Sequence, residues 1–176
     1  MKLLRSHIFA IYMIVASIIT MSKGTPSMPA IKKESLYLAG YSAKLFERNV
    51  GCVKTRHLSE KDGWVKRSLI YVFTFDERPW ETRNEAFDVK WEPYSARLSL
   101  RASDYLRNNL YVKPEYVIRT YDDHSLLLSE LKEVPSKCSL WVTKKDRFER
   151  IPEMVNKTFT TICPDPVFVP FNPKCF

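Results

Sequence analysis

Glycine is nearly missing from this chain, with four in 176 residues. None is spaced as a G-x-G-x-x-G dinucleotide turn or a G-x-x-x-x-G-K phosphate loop. Loops that cradle phosphates need glycine to bring backbone N–H groups against the ligand, so nucleotide chemistry has no scaffold here. Histidine is equally sparse. Beyond the N-terminal stretch only His57 and His124 occur, and neither stands in an H-x-x-x-H, G-x-S-x-G or cysteine-nucleophile setting. Asp122-Asp123-His124 puts acid, base and metal-ligand atoms in a row, but a polar turn between two strands accounts for it better. Closely spaced cysteine pairs are missing too: Cys52, Cys138, Cys163 and Cys175 follow one another at 86, 25 and 12 positions, which argues against zinc. The expectation is a protein with no catalytic residues, no metal and no cofactor beyond a bound ligand.

Long apolar runs are few as well. Lys2 and Arg5 precede Ile8 to Ile19, a stretch interrupted only by Ser17, and Ser22 and Gly24 offer small residues just before a cut after Gly24. A membrane span needs about 20 apolar residues, so the stretch reads as a signal peptide over 1–24 and not as an anchor. The remainder, 25–176, suits one secreted domain with no transmembrane segment, expected to be a monomer. Removing Lys2, Arg5 and Lys23 leaves 25 basic against 20 acidic residues. The surplus is scattered as Lys32-Lys33, Lys66-Arg67, Lys144-Lys145 and Arg147, which predicts a solvated surface and no nucleic-acid groove. An even number of cysteines in an exported chain predicts two disulfides. Asn156-Lys157-Thr158 is a glycosylation sequon that export would present to the transferase.

What is abundant is short runs of aromatic and β-branched residues, separated by turn residues or charge clusters. Leu36 to Phe46, Val50 to Leu58, Trp64 to Phe75, Phe87 to Tyr94, Arg97 to Ser103, Tyr116 to Tyr121, Ser125 to Leu131 and Cys138 to Thr143 read as about eight strands. That number closes a small all-β barrel around side chains or one ligand. Phe87, Val89 and Trp91 alternate with Asp88, Lys90 and Glu92, and Leu98 and Leu100 with Arg97, Ser99 and Arg101. Such alternation fits an antiparallel sheet wet on one face. Asp62-Gly63, Asp122-Asp123 and Pro135-Ser136 serve as turns. From Arg147 to Cys163 the period changes: Phe148, Ile151, Val155, Phe159 and Ile162 recur at three and four, predicting a C-terminal helix with Pro152 in its first turn. Pro164, Pro166, Pro170 and Pro173 then force an extended tail.

Specific residues carry a resemblance. Gly51-Cys52-Val53, Cys138-Ser139-Leu140-Trp141-Val142, Ile151-Pro152, Ile162-Cys163 and the terminal Cys175 resemble tick salivary lipocalins over the whole mature chain. Thr25 to Ala30, Leu36 to Gly40, Lys44 to Val53, Arg67 to Asp76, Lys90 to Tyr94 and Ile162 to Pro166 resemble one branch of that family, whose members modulate dendritic cells. The resemblance implies an eight-stranded antiparallel lipocalin barrel with a C-terminal α-helix packed outside, released in tick saliva at the host feeding site. It also implies a cholesterol-like sterol or lipid mediator as ligand, and altered maturation of host dendritic cells. The G-x-W signature common to lipocalins is absent, since Gly40 is followed by Tyr41 and Ser42. Amine-binding tick lipocalins carry Glu-Leu-Trp where Ser139-Leu140-Trp141 stands here. A buried ammonium needs an opposing carboxylate, so capture of histamine or serotonin is disfavoured.

Four cysteines allow three connectivities. Cys138–Cys163 would close the helix onto the last strand and Cys52–Cys175 would tie the tail to the barrel, and the family pattern agrees with this pairing. Phe73, Phe75, Phe87, Trp91, Leu98, Leu100 and Ile118 are the expected barrel lining, with Phe87 and Trp91 foremost. Asp88 and Glu92, opposite the apolar face, should point to solvent. A competing reading makes the protein a ligand for a host dendritic-cell surface protein, through loops around Glu77 to Glu85, with Arg78-Pro79-Trp80, and Arg107 to Pro114.

Overall fold

The computed structural model describes residues 27–45, 50–75, 78–131, 137–143 and 150–170, and of 74, 75 and 78–80 the backbone only. The expected leader over 1–24 lies outside them. Nine strands form one sheet: β1 (Leu36–Ser42), β2 (Val50–Lys61), β3 (Trp64–Phe75), β4 (Arg78–Trp91), β5 (Arg97–Ala102), β6 (Glu115–Tyr121), β7 (Ser125–Ser129), β8 (Cys138–Val142) and the short β9 (Pro166–Phe168). Two helices complete it, α1 (Asp104–Asn109) and α2 (Glu153–Ile162).

Neighbouring strands from β2 to β8 pair antiparallel in chain order. The sheet closes because β1 joins both ends: Leu38 faces Trp141 of β8, while Leu36 and Tyr37 face Thr55 and Lys54 of β2. The result is an eight-stranded antiparallel barrel, with β9 added outside on β1 through Gly40 opposite Phe168. A register shift between Leu38 and Gly40 lets β1 bend from one partner to another.

The barrel is lined and capped by different clusters. Inside, Met28, Ala30, Leu36, Val65, Val89, Leu98, Leu126 and Leu128 form one core, where a 3-10 turn at Pro29–Ile31 plugs one end. Outside, α2 lays Val155 and Phe159 on Ala39, Leu127, Leu140 and Val142. Strand β7 lies between the two and is buried along its whole length, which explains its unbroken Leu126-Leu127-Leu128. A disulfide joins Cys138 of β8 to Cys163 at the end of α2. Cys52 is also disulfide-bonded, while its expected partner Cys175 lies outside the described residues.

The polar sequence Asp122-Asp123-His124 is a turn. Asp122 Oδ1 accepts from the backbone N–H of His124 and of Ser125, each at 2.7 Å, the geometry that makes Asp a turn former. Asp123 binds Lys32 Nζ at 3.1 Å and Ser27 N at 3.1 Å, fastening the plug segment to the β6–β7 turn. These two contacts hold the Asp123 carboxyl below the usual carboxylate range.

Four elements differ from the sequence reading. Strand β4 begins at Arg78, so the stretch expected as a loop from Glu77 to Glu85 is strand from Arg78 onward. Glu81 to Asn84 are exposed and show no apolar alternation, so backbone pairing to β3, Phe73 opposite Glu81 through Leu69 opposite Glu85, makes the strand. Helix α1 occupies part of the expected Arg107 to Pro114 loop. Ser103 caps it, its Oγ accepting from Leu106 N at 3.3 Å, and six residues are too few to show a helical period. Helix α2 begins at Glu153, with Pro152 as its N-cap. The ring of Pro152 disfavours helical geometry at Ile151, so Ile151 packs on the outer core from outside the helix, and 144–149 lie outside the described residues. The tail, expected merely as extended, returns to the sheet as β9.

Candidate functional site

Alternation along each strand turns one set of side chains inward. Val89 and Phe87 of β4, Leu98 and Leu100 of β5, Leu126 and Leu128 of β7, Trp141 of β8, and Leu69 and Tyr71 of β3 enclose a cavity of about 250 Å³. Leu106 on α1, with Leu110, Tyr111 and Val112 after it, roofs the end opposite the Pro29–Ile31 plug. Tyr111 holds a positive φ of 52° there, a conformation unusual for a bulky residue.

Polar groups in the wall are few and most are occupied. Trp141 Nε1 donates to Ser139 Oγ at 3.0 Å. The Tyr116 hydroxyl accepts from Lys113 N at 3.0 Å, and burial, with Glu130 adding to it, raises the pKa of this phenol. Arg67 lines the cavity though it is 1% exposed. Its Nε donates to Thr55 Oγ1 at 3.0 Å, Nη1 to the carbonyls of Ala30 at 3.2 Å and Lys32 at 2.7 Å, and Nη2 to that of Glu34 at 2.6 Å. Burial pushes its pKa down to about 10. Glu130, 6% exposed, and Lys137 also face the cavity, and Glu130 N donates to Lys137 O at 3.0 Å. Tyr71 is fully buried, and its pKa is raised chiefly by burial and then by the neighbouring Tyr105 hydroxyl and Glu85 carboxylate.

Of the lining residues expected from sequence, Phe87, Leu98 and Leu100 are in the cavity wall. Trp91 and Ile118 are not. Both pack against the core at the plugged end, where Trp91 meets Tyr121 edge-on at 5.9 Å and its Nε1 donates to Ser95 O at 2.9 Å. They border a shallow surface hollow with Tyr94 and Ser95 instead. Phe73 follows Tyr71 on the same face of β3 and packs edge-on to its ring at 5.3 Å, outside the cavity wall. The side chain of Phe75 lies outside the described residues. Asp88 and Glu92 are absent from the wall, and Glu92 pairs with Lys90 at 3.0 Å on the surface. The expectation that the cavity holds no carboxylate is corrected by Glu130. Arg67, read with Lys66 as a solvated basic pair, is corrected by its burial. Alternation could have found it: Val65, Arg67, Leu69 and Tyr71 share one face of β3.

A closed antiparallel barrel, plugged at one end, with an apolar interior and a helix clamped outside by a disulfide defines a lipocalin-type ligand-binding protein. No protein-family model matches the chain, but full-length relatives do. Japanin from Rhipicephalus appendiculatus is 64% identical over 176 residues, covering 100% of this chain and 99% of that protein. Japanin-like-RS from Rhipicephalus sanguineus is 63% identical with the same coverage. The structure of Japanin from Rhipicephalus appendiculatus bound to cholesterol superposes with a TM-score of 0.81 at 66% identity, covering 85% of this chain and 100% of that one. This chain belongs to the japanin family. Among the described residues no helix is long and apolar enough to cross a membrane.

Proposed function

We propose that this chain is a secreted carrier of a neutral, largely apolar molecule of the cholesterol type, released in tick saliva to modulate host dendritic cells, and not an enzyme. The ligand class rests on one observation: an apolar cavity in a chain 66% identical to a protein crystallised with cholesterol. The cellular effect rests on the family resemblance alone. Removing apolar surface from water contributes about 25 cal/mol per Å², so a sterol gains several kcal/mol without a charged partner.

Glu130 is the feature that favours an amine ligand. Against it, Arg67 and Lys137 share the same wall, so an entering ammonium meets more like charge than opposite charge. Lipid extracted from protein secreted by eukaryotic cells should contain a sterol by mass spectrometry, and calorimetry should show no high-affinity histamine or serotonin binding. Saturable amine binding with no sterol recovered would reverse the ligand class. For the cellular role, sterol-free protein that still alters dendritic-cell maturation would assign the effect to a surface contact with a host protein. Activity lost on saturation with sterol would assign it to sequestration.

A further inference from the structure

The interior carries one polar atom with nothing to bind. Thr55, Tyr116 and Ser139 each accept a hydrogen bond from within the protein. The Tyr71 hydroxyl is buried, lines the cavity, and has no hydrogen-bond partner among the described residues. The other buried side-chain atom without a partner, Ser125 Oγ, is not in the cavity wall. A buried hydroxyl without a partner is a cost to the empty protein that a ligand can remove. An apolar pocket with one placed polar group is also the usual means of fixing a ligand's orientation.

We propose that Tyr71 is the polar anchor of the cavity, its hydroxyl hydrogen-bonding the single hydroxyl of a sterol and so setting which end enters first. The proposal rests on the sterol reading above and adds direction and a residue to it. Tyr71 stands six residues along β3 from Val65, which belongs to the plugged end. At strand rise that is roughly 20 Å. The hydroxyl end of the sterol therefore faces the rim, near Tyr105 and under Leu106 of α1, and the hydrocarbon tail points to Ala30, Val89 and Leu98 at the plug. Arg67, the other strong donor in the wall, already spends its guanidinium on Thr55 and three backbone carbonyls.

The test compares cholesterol with cholest-5-ene, which lacks only the hydroxyl, each displacing a common fluorescent sterol from wild-type protein and from Tyr71→Phe. Wild type should prefer cholesterol about tenfold, the worth of one buried hydrogen bond that also satisfies an orphan. Tyr71→Phe should bind the two sterols within about twofold of each other, with its affinity for cholest-5-ene unchanged. The removed hydroxyl has no partner to lose, so the variant should melt no lower than wild type, which checks that it folds. An undiminished preference in Tyr71→Phe overturns the anchor and leaves the sterol reading standing. Equal loss of both sterols makes Tyr71 a wall and also overturns it. Wild-type protein that binds neither sterol refutes the sterol reading and the anchor together.

Discussion

Replacing Arg67 by Met tests how the barrel is plugged. The substitution keeps a long apolar stem and removes all five N–H donors. The carbonyl of Ala30, a residue 3% exposed, loses the donor that reaches it at 3.2 Å; an orphaned buried acceptor costs about 1–3 kcal/mol. The carbonyls of Lys32 and Glu34 are bound from partly buried positions, so water replaces the guanidinium and the loss is nearer 0.5–1 kcal/mol each. Removing a buried charge that has no carboxylate partner returns part of this. The net expectation is a loss of about 2–3 kcal/mol, roughly 5–10 °C in Tm for a domain of this size. Because the folded pKa of about 10 lies below the ordinary 12.5, the unfolded state holds the proton more tightly and any pH dependence from Arg67 appears only above about 10, where stability rises. The loss on Arg67→Met should therefore be flat from pH 5 to 9. Arg67→Lys should do no better, since one ammonium cannot reach four acceptors set around a planar fork. Thermal melts give the magnitude, and hydrogen exchange gives the place, with amides of the plug segment around 30–36 losing protection first. A variant that melts within a degree of wild type, with that segment still protected, would show that Arg67 does not hold the plug.

Gly40→Ala should lower stability by about 1–3 kcal/mol without changing ligand affinity, because the added carbon would lie 2.9 Å from Phe159 Cε1 and Cζ and 3.2 Å from Val167 O, and Phe159 is fully buried against Phe168 at 5.2 Å; thermal melts beside ligand titration read both. Asn156 is exposed on α2 while Val155 and Phe159 face the barrel, so the secreted protein should shift on a gel after glycosidase treatment and Asn156→Gln should remove the shift. Non-reducing peptide mapping should link Cys52 to Cys175 beside the Cys138–Cys163 bridge, and a Cys175 found free or joined to a second chain would contradict the expected tail closure.

Strands announced themselves in the sequence wherever one face is wet and the other dry. Phe87, Val89 and Trp91 against Asp88, Lys90 and Glu92 mark β4 for this reason, and Val155 and Phe159 mark α2 by the same contrast at helical period. The first half of β4 was illegible because Glu81 to Asn84 are all exposed: with no dry face there is no alternation, and only the partner strand reveals it. Arg67 and Glu130 were missed for the opposite reason. A charged residue is rarely buried, so composition outweighs face at such positions until partners are known, and the partners of Arg67 are backbone carbonyls 33 to 37 residues away.

The errors within the lining have a single geometric origin. Period-two patterning tells which face of a strand a residue occupies but not how far along the barrel it lies. Phe87 and Trp91 share a face of β4, yet four residues separate them, on the order of 13 Å along the strand. That distance carries Trp91 out of the cavity wall, to the plugged end beside Tyr121. Depth is set by what closes each end. One end is closed by the Pro29–Ile31 turn that Arg67 and Asp123 fasten, the other by the short helix carrying Leu106. Both closures lie outside the alternating runs, and both are held by polar contacts made across the chain. Changing Trp91 therefore perturbs the plugged end of the barrel and not its cavity, whereas the direction in which a ligand lies depends on groups at the depth of Tyr71.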